Sequence, residues 1–196
     1  MKRLFHDIIN YMVKFEPHFI QSFIAINQFF QKYKFRYCLI GGIAAGYWGE
    51  PRYTQDADFT VVSHGGSFKE ILQLLSKEKF KAEKKGESQV KVTHFKNKSC
   101  QADLILAEIP YQDWLVQRAT PVKVFEVTVP VCALEDLIIL KLIANRRQDL
   151  LDIEKVLEKN TKLLDKKYLH EWLEFWNVKA RFLEEFGAQF PKLLEY

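Results

Sequence analysis

Phe19, Phe23, Ile26 and Phe30 recur at three- and four-residue steps, which predicts an amphipathic helix over residues 16–33. The apolar run Tyr37-Cys38-Leu39-Ile40 stops at Gly41-Gly42 and reads as a short buried strand ending in a tight turn. A short helix is expected from Ile43 to Trp48, halted by Gly49 and Pro51, and a second strand from Asp58 to Val62. Ser67-Phe68-Lys69-Glu70 is a capping box that should start a helix at Phe68 and carry it through Ile71, Leu72, Leu74 and Leu75. The polar stretch from Lys77 to Lys98 is expected to hold strand near Val90 to Phe95, and Gln101 to Ala107 is another strand candidate. Val122, Val124, Val127 and Val129 read as one strand whose register shifts at Phe125 and which Pro130 closes. From Ala133 the pattern turns helical, with four stripes: Leu134 to Ala144, Leu150 to Leu157, Leu169 to Trp176, and Phe182 to Phe186.

These elements predict an α+β chain: a mixed β-sheet flanked by helices over residues 1–130, followed by a C-terminal helical bundle over 131–196, with the site in the cleft that the bundle closes. Composition agrees with a substantial core, since 48% of residues are hydrophobic and sixteen Phe, eight Tyr and four Trp supply large apolar area. The net charge of +4 is too mild to argue for nucleic acid by itself. Locally, Lys77 to Lys98 carries eight Lys against three Glu, a charge of +5 that can attract RNA. Cys38, Cys100 and Cys132 are widely spaced with no Cys-x-x-Cys, which excludes a disulfide framework or a zinc ribbon and fits a reducing cytoplasm. The first residues meet charge too early for a signal peptide, and no run approaches the roughly 18 apolar residues of a membrane span. A soluble cytoplasmic protein with no membrane partner is expected.

The chemistry concentrates between Gly41 and Asp58. On a strand, residues two apart point the same way, so Asp56 and Asp58 can aim at one point. Two converging carboxylates repel unless a cation lies between them, and hard oxygen donors suit Mg²⁺ with substrate phosphate oxygens. A two-metal site needs a third acid. Asp103, an acid in the apolar β-type run Gln101 to Leu106, is the expected one; Asp113, in a polar and helix-like context, is the competitor. Gly41 and Gly42 let a backbone approach phosphate closely, at the start of a helix whose N–H groups favour anions. The pattern is neither a Walker loop, because Tyr47-Trp48 stand where Lys and Ser/Thr would be, nor a Gly-x-Gly-x-x-Gly fingerprint. His64 and His94 are given no role.

Gly41-Gly42 followed by Gly49-x-Pro51-Arg52-x-Thr54-x-Asp56-x-Asp58 resembles the signature of the DNA polymerase β-like nucleotidyltransferase superfamily. Glu135 to Ala144, then Arg146-x-x-Asp149-x-x-Asp152, resembles its AbiEii-type branch, which includes toxins of type IV toxin–antitoxin systems. The resemblance covers roughly residues 36 to 157. It implies a nucleotidyltransferase fold and an Mg²⁺-dependent transfer of a nucleoside monophosphate from a nucleoside triphosphate (NTP) to an acceptor hydroxyl, releasing pyrophosphate. Asp56, Asp58 and Asp103 would hold metal; Gly41, Gly42, Arg52, Thr54, Lys141 and Asp149 would face the nucleotide. An RNA or tRNA end in a toxin–antitoxin or defence setting is the first acceptor implied. An antibiotic, a partner protein modified by nucleotidylation, and a non-catalytic nucleotide-binding role are the alternatives. Two positions depart from the pattern: Gly42 stands where many relatives have Ser, and Gln148 where the branch often has Lys.

Overall fold

A computed structural model describes residues 15–62, 68–94 and 97–193. The expectations for the N-terminal residues, His64, Gly65-Gly66 and the Ser67 cap lie outside the described residues, as does the side chain of His94. The chain divides into two compact units: residues 1–43 with 52–132, and residues 44–51 with 133–196.

The first unit is built on a seven-stranded mixed sheet in the order β3-β4-β5-β2-β1-β7-β6. Its strands are β1 (Arg36–Ile40), β2 (Asp56–Val62), β3 (Phe80–Lys84), β4 (Gln89–His94), β5 (Asn97–Leu106), β6 (Thr120–Val124) and β7 (Val127–Val131). β2 runs parallel to β5 and β1 parallel to β7, while every other neighbouring pair is antiparallel. Helix α1 (Pro17–Lys32) starts with Pro at its first turn, where the missing N–H costs nothing. It ends with Lys34 in the left-handed region (φ 55°), as Phe35 N donates to Phe30 O and Lys34 N to Gln31 O. Its apolar stripe buries Phe19, Phe23, Ile26 and Phe30 as the periodicity predicts. Phe23 and Phe30 meet Phe59 of β2 at centroid distances of 5.8 and 5.3 Å, so α1 covers the sheet face that carries Phe59. Each such ring contributes about 1.5–3 kcal/mol by leaving water. By strand alternation, Asp56 and Asp58 occupy the opposite face.

Two elements differ from the expectation. The stretch from Val122 to Val129 is a hairpin, not a single shifted strand. Val124 pairs with Val127 across a turn at Phe125-Glu126, and Pro130 lies inside β7 opposite Pro121. Phe125 takes φ 53° in that turn and is nevertheless buried, because its ring packs against Phe15, Phe19 and Phe23. The lysine-rich stretch also holds β3, which hydrophobic patterning hides because Phe80 is its one buried residue. Helices α3 (Phe68–Lys77) and α4 (Pro110–Arg118) complete this unit.

In the second unit, α5 (Leu134–Ala144) is buried almost all round. Around it stand α6 (Arg147–Asn160), α7 (Lys166–Phe175) and α8 (Lys179–Phe186). Asp165 N donates to Glu135 Oε1 at 2.8 Å, Tyr168 Oη to Asp136 Oδ1 at 2.7 Å, and Arg181 Nη1 to Leu142 O at 3.1 Å. Helix α2 (Gly41–Trp48) begins in the first unit, and its later residues belong to the second. There Lys159 Nζ donates to Gly49 O (2.8 Å) and Asn160 Nδ2 to Trp48 O (2.5 Å), satisfying carbonyls that the helix end leaves open. No described helix is long and apolar enough to cross a membrane.

Candidate active site

β1 delivers the chain to Gly41, and β2 and β5 supply the acids. In the parallel β2–β5 ladder Asp58 lies opposite Asp103 and Asp56 opposite Gln101. Alternation then places Asp56, Asp58 and Asp103 on one face, and one carboxylate oxygen from each lies within 4.8 Å of the others. All three are half-buried. Asp113, the competitor for third acid, lies on α4, where Arg36 pairs with it at 2.9 Å and Gln117 donates to it at 2.6 Å.

Gly41 adopts φ 67°, and a Cβ on it would fall inside the Asp58 carboxylate. Glycine is therefore required twice, for its backbone conformation and for the space that Asp58 occupies. Beside it, a Cβ on Gly42 would lie 3.2 Å from Thr54 Cβ and Oγ1 and 3.3 Å from Arg52 Nη2. A serine at 42 would need Thr54 and the Arg52 guanidinium to give way by a few tenths of an ångström. Thr54 Oγ1 in turn donates to Asp56 Oδ1 at 2.9 Å, and Arg52 Nη1 donates to Tyr53 O at 3.2 Å. Gly41, Gly42, Arg52, Thr54 and the three acids thus gather within the first unit.

Burial pushes the Asp103 carboxyl above its ordinary range; Asp56 adds to that shift, and Lys91 and Lys85 oppose it. Asp103 Oδ1 is buried with no hydrogen-bond partner among the described residues. A buried acceptor without a donor is costly. Three hard oxygens converging at this spacing, beside a carboxylate with an unsatisfied oxygen, fit a small divalent cation such as Mg²⁺.

Lys141 and Asp149 stand together in the second unit. Lys141 Nζ donates to Asp149 Oδ1 at 2.9 Å and to Asp152 Oδ2 at 2.6 Å, and both acids and the lysine are buried. Arg146 Nε reaches Asp149 Oδ2 at 2.6 Å, and Gln148 Nε2 reaches Asp152 Oδ1 at 3.0 Å. Burial pushes the Asp149 carboxyl up, but hydrogen bonds from Arg146 and Lys141 outweigh it and hold it below its ordinary range. Sequence reasoning did not single out Lys91, which lies directly opposite Asp103 across the β4–β5 ladder. Only the strand register reveals that pairing; the one signal in the sequence is the local lysine excess.

No protein-family model matches the sequence, and no curated protein matches it. Solved structures do. An antigenic nucleotidyltransferase-like protein from Paracoccidioides brasiliensis superposes with a TM-score of 0.59, at 16% identity over 91% of this chain and 93% of that one. The fold is that of the nucleotidyltransferases. The same fold is matched in ANT(2″)-Ia in complex with adenylyl-2″-tobramycin, with a TM-score of 0.58 at 12% identity over 82% of this chain and 98% of that one. A lincosamide antibiotic adenylyltransferase with lincomycin bound gives 0.51, at 15% identity over 69% and 94%. Among the described residues, Asp56, Asp58 and Asp103 are the group of acids whose oxygens lie close enough together to hold a metal ion.

Proposed function

We propose that the protein is an Mg²⁺-dependent nucleotidyltransferase that moves a nucleoside monophosphate from an NTP to an acceptor hydroxyl. The observation that carries this reading is the convergence of Asp56, Asp58 and Asp103, with one Asp103 oxygen unsatisfied, next to a glycine pair that admits phosphate. Asp56, Asp58 and Asp103 would hold Mg²⁺, which when bound neutralises charge developing on the phosphate oxygens. Gly41 and Gly42 bring backbone N–H groups to the triphosphate at the start of α2. Arg52, beside Gly42, adds a fixed positive charge, and Thr54 keeps the Asp56 carboxylate aimed. The acceptor oxygen bonds to the α-phosphorus, the bond to the β-phosphate bridging oxygen breaks, and pyrophosphate leaves with that electron pair. The hydroxyl proton passes to solvent by way of the Asp103 carboxylate. Lys141 and Asp149 bind one another and hold the first turn of α6 within the second unit. Within the class we place the protein with the AbiEii-type enzymes of toxin–antitoxin or defence systems, on the motifs Glu135 to Ala144 and Arg146 to Asp152.

The test is incubation with Mg²⁺ and each of four α-labelled NTPs, with total RNA and lysate added. Label moves to a macromolecule with the native protein. With Asp56→Asn/Asp58→Asn it falls about 1000-fold or more, the equivalent of several kcal/mol of transition-state stabilisation. Transfer undiminished in that variant overturns the assignment.

A further inference from the structure

The far end of α2 is clamped by α6. A helix end leaves its last carbonyls without partners in their own helix. Here two successive side chains at the end of α6 answer two successive carbonyls: Asn160 Nδ2 donates to Trp48 O, and Lys159 Nζ donates to Gly49 O at 2.8 Å. Asn160 Nδ2 also donates to Val156 O of its own helix at 2.9 Å, so both amide protons are used. Gly49 N donates to Ala45 O at 2.7 Å. A Cβ on Gly49 would lie 3.1 Å from Val156 N and 3.2 Å from the Lys155 carbonyl carbon, a contact it would press apart by a few tenths of an ångström. The chain therefore leaves α2 directly against the α6 backbone, at a residue whose missing side chain allows the approach. The place of this clamp along the chain gives it meaning. Gly41 and Gly42 open the same unbroken helix, roughly 12 Å from its far end at 1.5 Å per residue. Arg52 and Thr54 follow soon after Gly49. Pro51 fixes its own φ and confines Glu50 to extended backbone, so little slack separates Gly49 from Arg52. The groups proposed to face the triphosphate thus branch from one point, upstream and downstream of it.

We propose that Lys159 and Asn160 are positioning residues for the nucleotide. Without touching it, they hold the Trp48 and Gly49 carbonyls and so set the place of Gly41-Gly42 at one end of α2 and of Arg52 and Thr54 beyond the other. The Lys159 ammonium, at the negative end of the α2 dipole, complements a helix whose positive end is offered to phosphate. The inference rests on the nucleotidyltransferase reading of the site and deepens it with two residues beyond the stretch, 36 to 157, whose motifs carry that reading.

The experiment measures, on variants of the full chain, Mg²⁺-dependent binding of each of the four NTPs, Mn²⁺ binding without nucleotide, and the thermal midpoint. Lys159→Met/Asn160→Ala is expected to weaken NTP binding about tenfold, the scale of two lost hydrogen bonds. Its Mn²⁺ binding should match the native protein, because the acids stand on β2 and β5. Lys159→Met alone, at an exposed position where no cavity is left, should show about a threefold loss even if the double variant does not fold. Lys159→Arg keeps a donor and should restore native NTP affinity. Thr161→Val is the structural control: it removes the hydrogen bond from Thr161 Oγ1 to Leu157 O at the same end of α6 and leaves α2 alone. It should lower the midpoint and keep NTP affinity. Native NTP affinity in the Lys159 and Asn160 variants overturns the inference, as does an equal loss in Thr161→Val. Failure of the native protein to bind any NTP overturns the nucleotidyltransferase reading instead, so the two failures are distinct.

Discussion

Two clusters of charge among the described residues, one in each unit, are built on opposite rules. In the helical unit, Lys141 and Arg146 meet Asp149 and Asp152, so two positive charges answer two negative ones and the polar atoms find partners. In the sheet unit, three carboxylates converge and one buried oxygen has no donor among the described residues. Balanced charge is what a fold needs to stand by itself. Unbalanced charge, beside a glycine with no room for a side chain, is what the proposed metal site would use.

That contrast breaks most sharply at Lys141. Lys141→Met removes the buried cation shared by Asp149 and Asp152, leaving them only Arg146 and the Gln148 amide, and is expected to lower stability by about 3–5 kcal/mol, measured by urea unfolding. A loss under 1 kcal/mol would mean that the cluster is not a structural pair. Asp103→Asn should do the reverse: it removes one of three like charges, so metal-free stability stays level or rises by up to about 1 kcal/mol, while transfer is lost. A clearly lower thermal midpoint in that variant, with chelator present, would put Asp103 among the structural charges. The smallest effect concerns pH. Asp149 is held below its ordinary range, so it contributes stability above about pH 4 that is lost as the pH falls through its folded value. The thermal midpoint of the native protein should therefore drop more steeply below that pH than that of Asp149→Asn. Parallel curves would refute the assignment.

Much of this was legible before folding. The α1 stripe, the strand ending at Gly41, and the carboxylate pair two residues apart are local patterns, and local patterns survive in a one-dimensional reading. Asp103 was legible because an acid inside an apolar strand is conspicuous. Lys91 was not, because its meaning lies in its partner across the ladder, and one more lysine in a lysine-rich run carries no mark. The Phe125 turn was hidden for a related reason. A buried phenylalanine signals strand, and only the cluster of Phe15, Phe19 and Phe23 explains why it sits in a bend with positive φ. Gln148, a departure from the expected lysine, proves to donate to Asp152, so the network closes with a neutral amide there.

The missing methyl group of Gly41 has a consequence for lineage. The Asp58 carboxylate stands where that methyl would be, so the two positions are not free to change one at a time. Any side chain acquired at 41 evicts the acid, even though the acid is still written in the gene. A descendant that kept all three aspartates but replaced this glycine would keep the acids in sequence and lose their present arrangement. Position 41 therefore reports on the geometry of the acid cluster as directly as the acids themselves do.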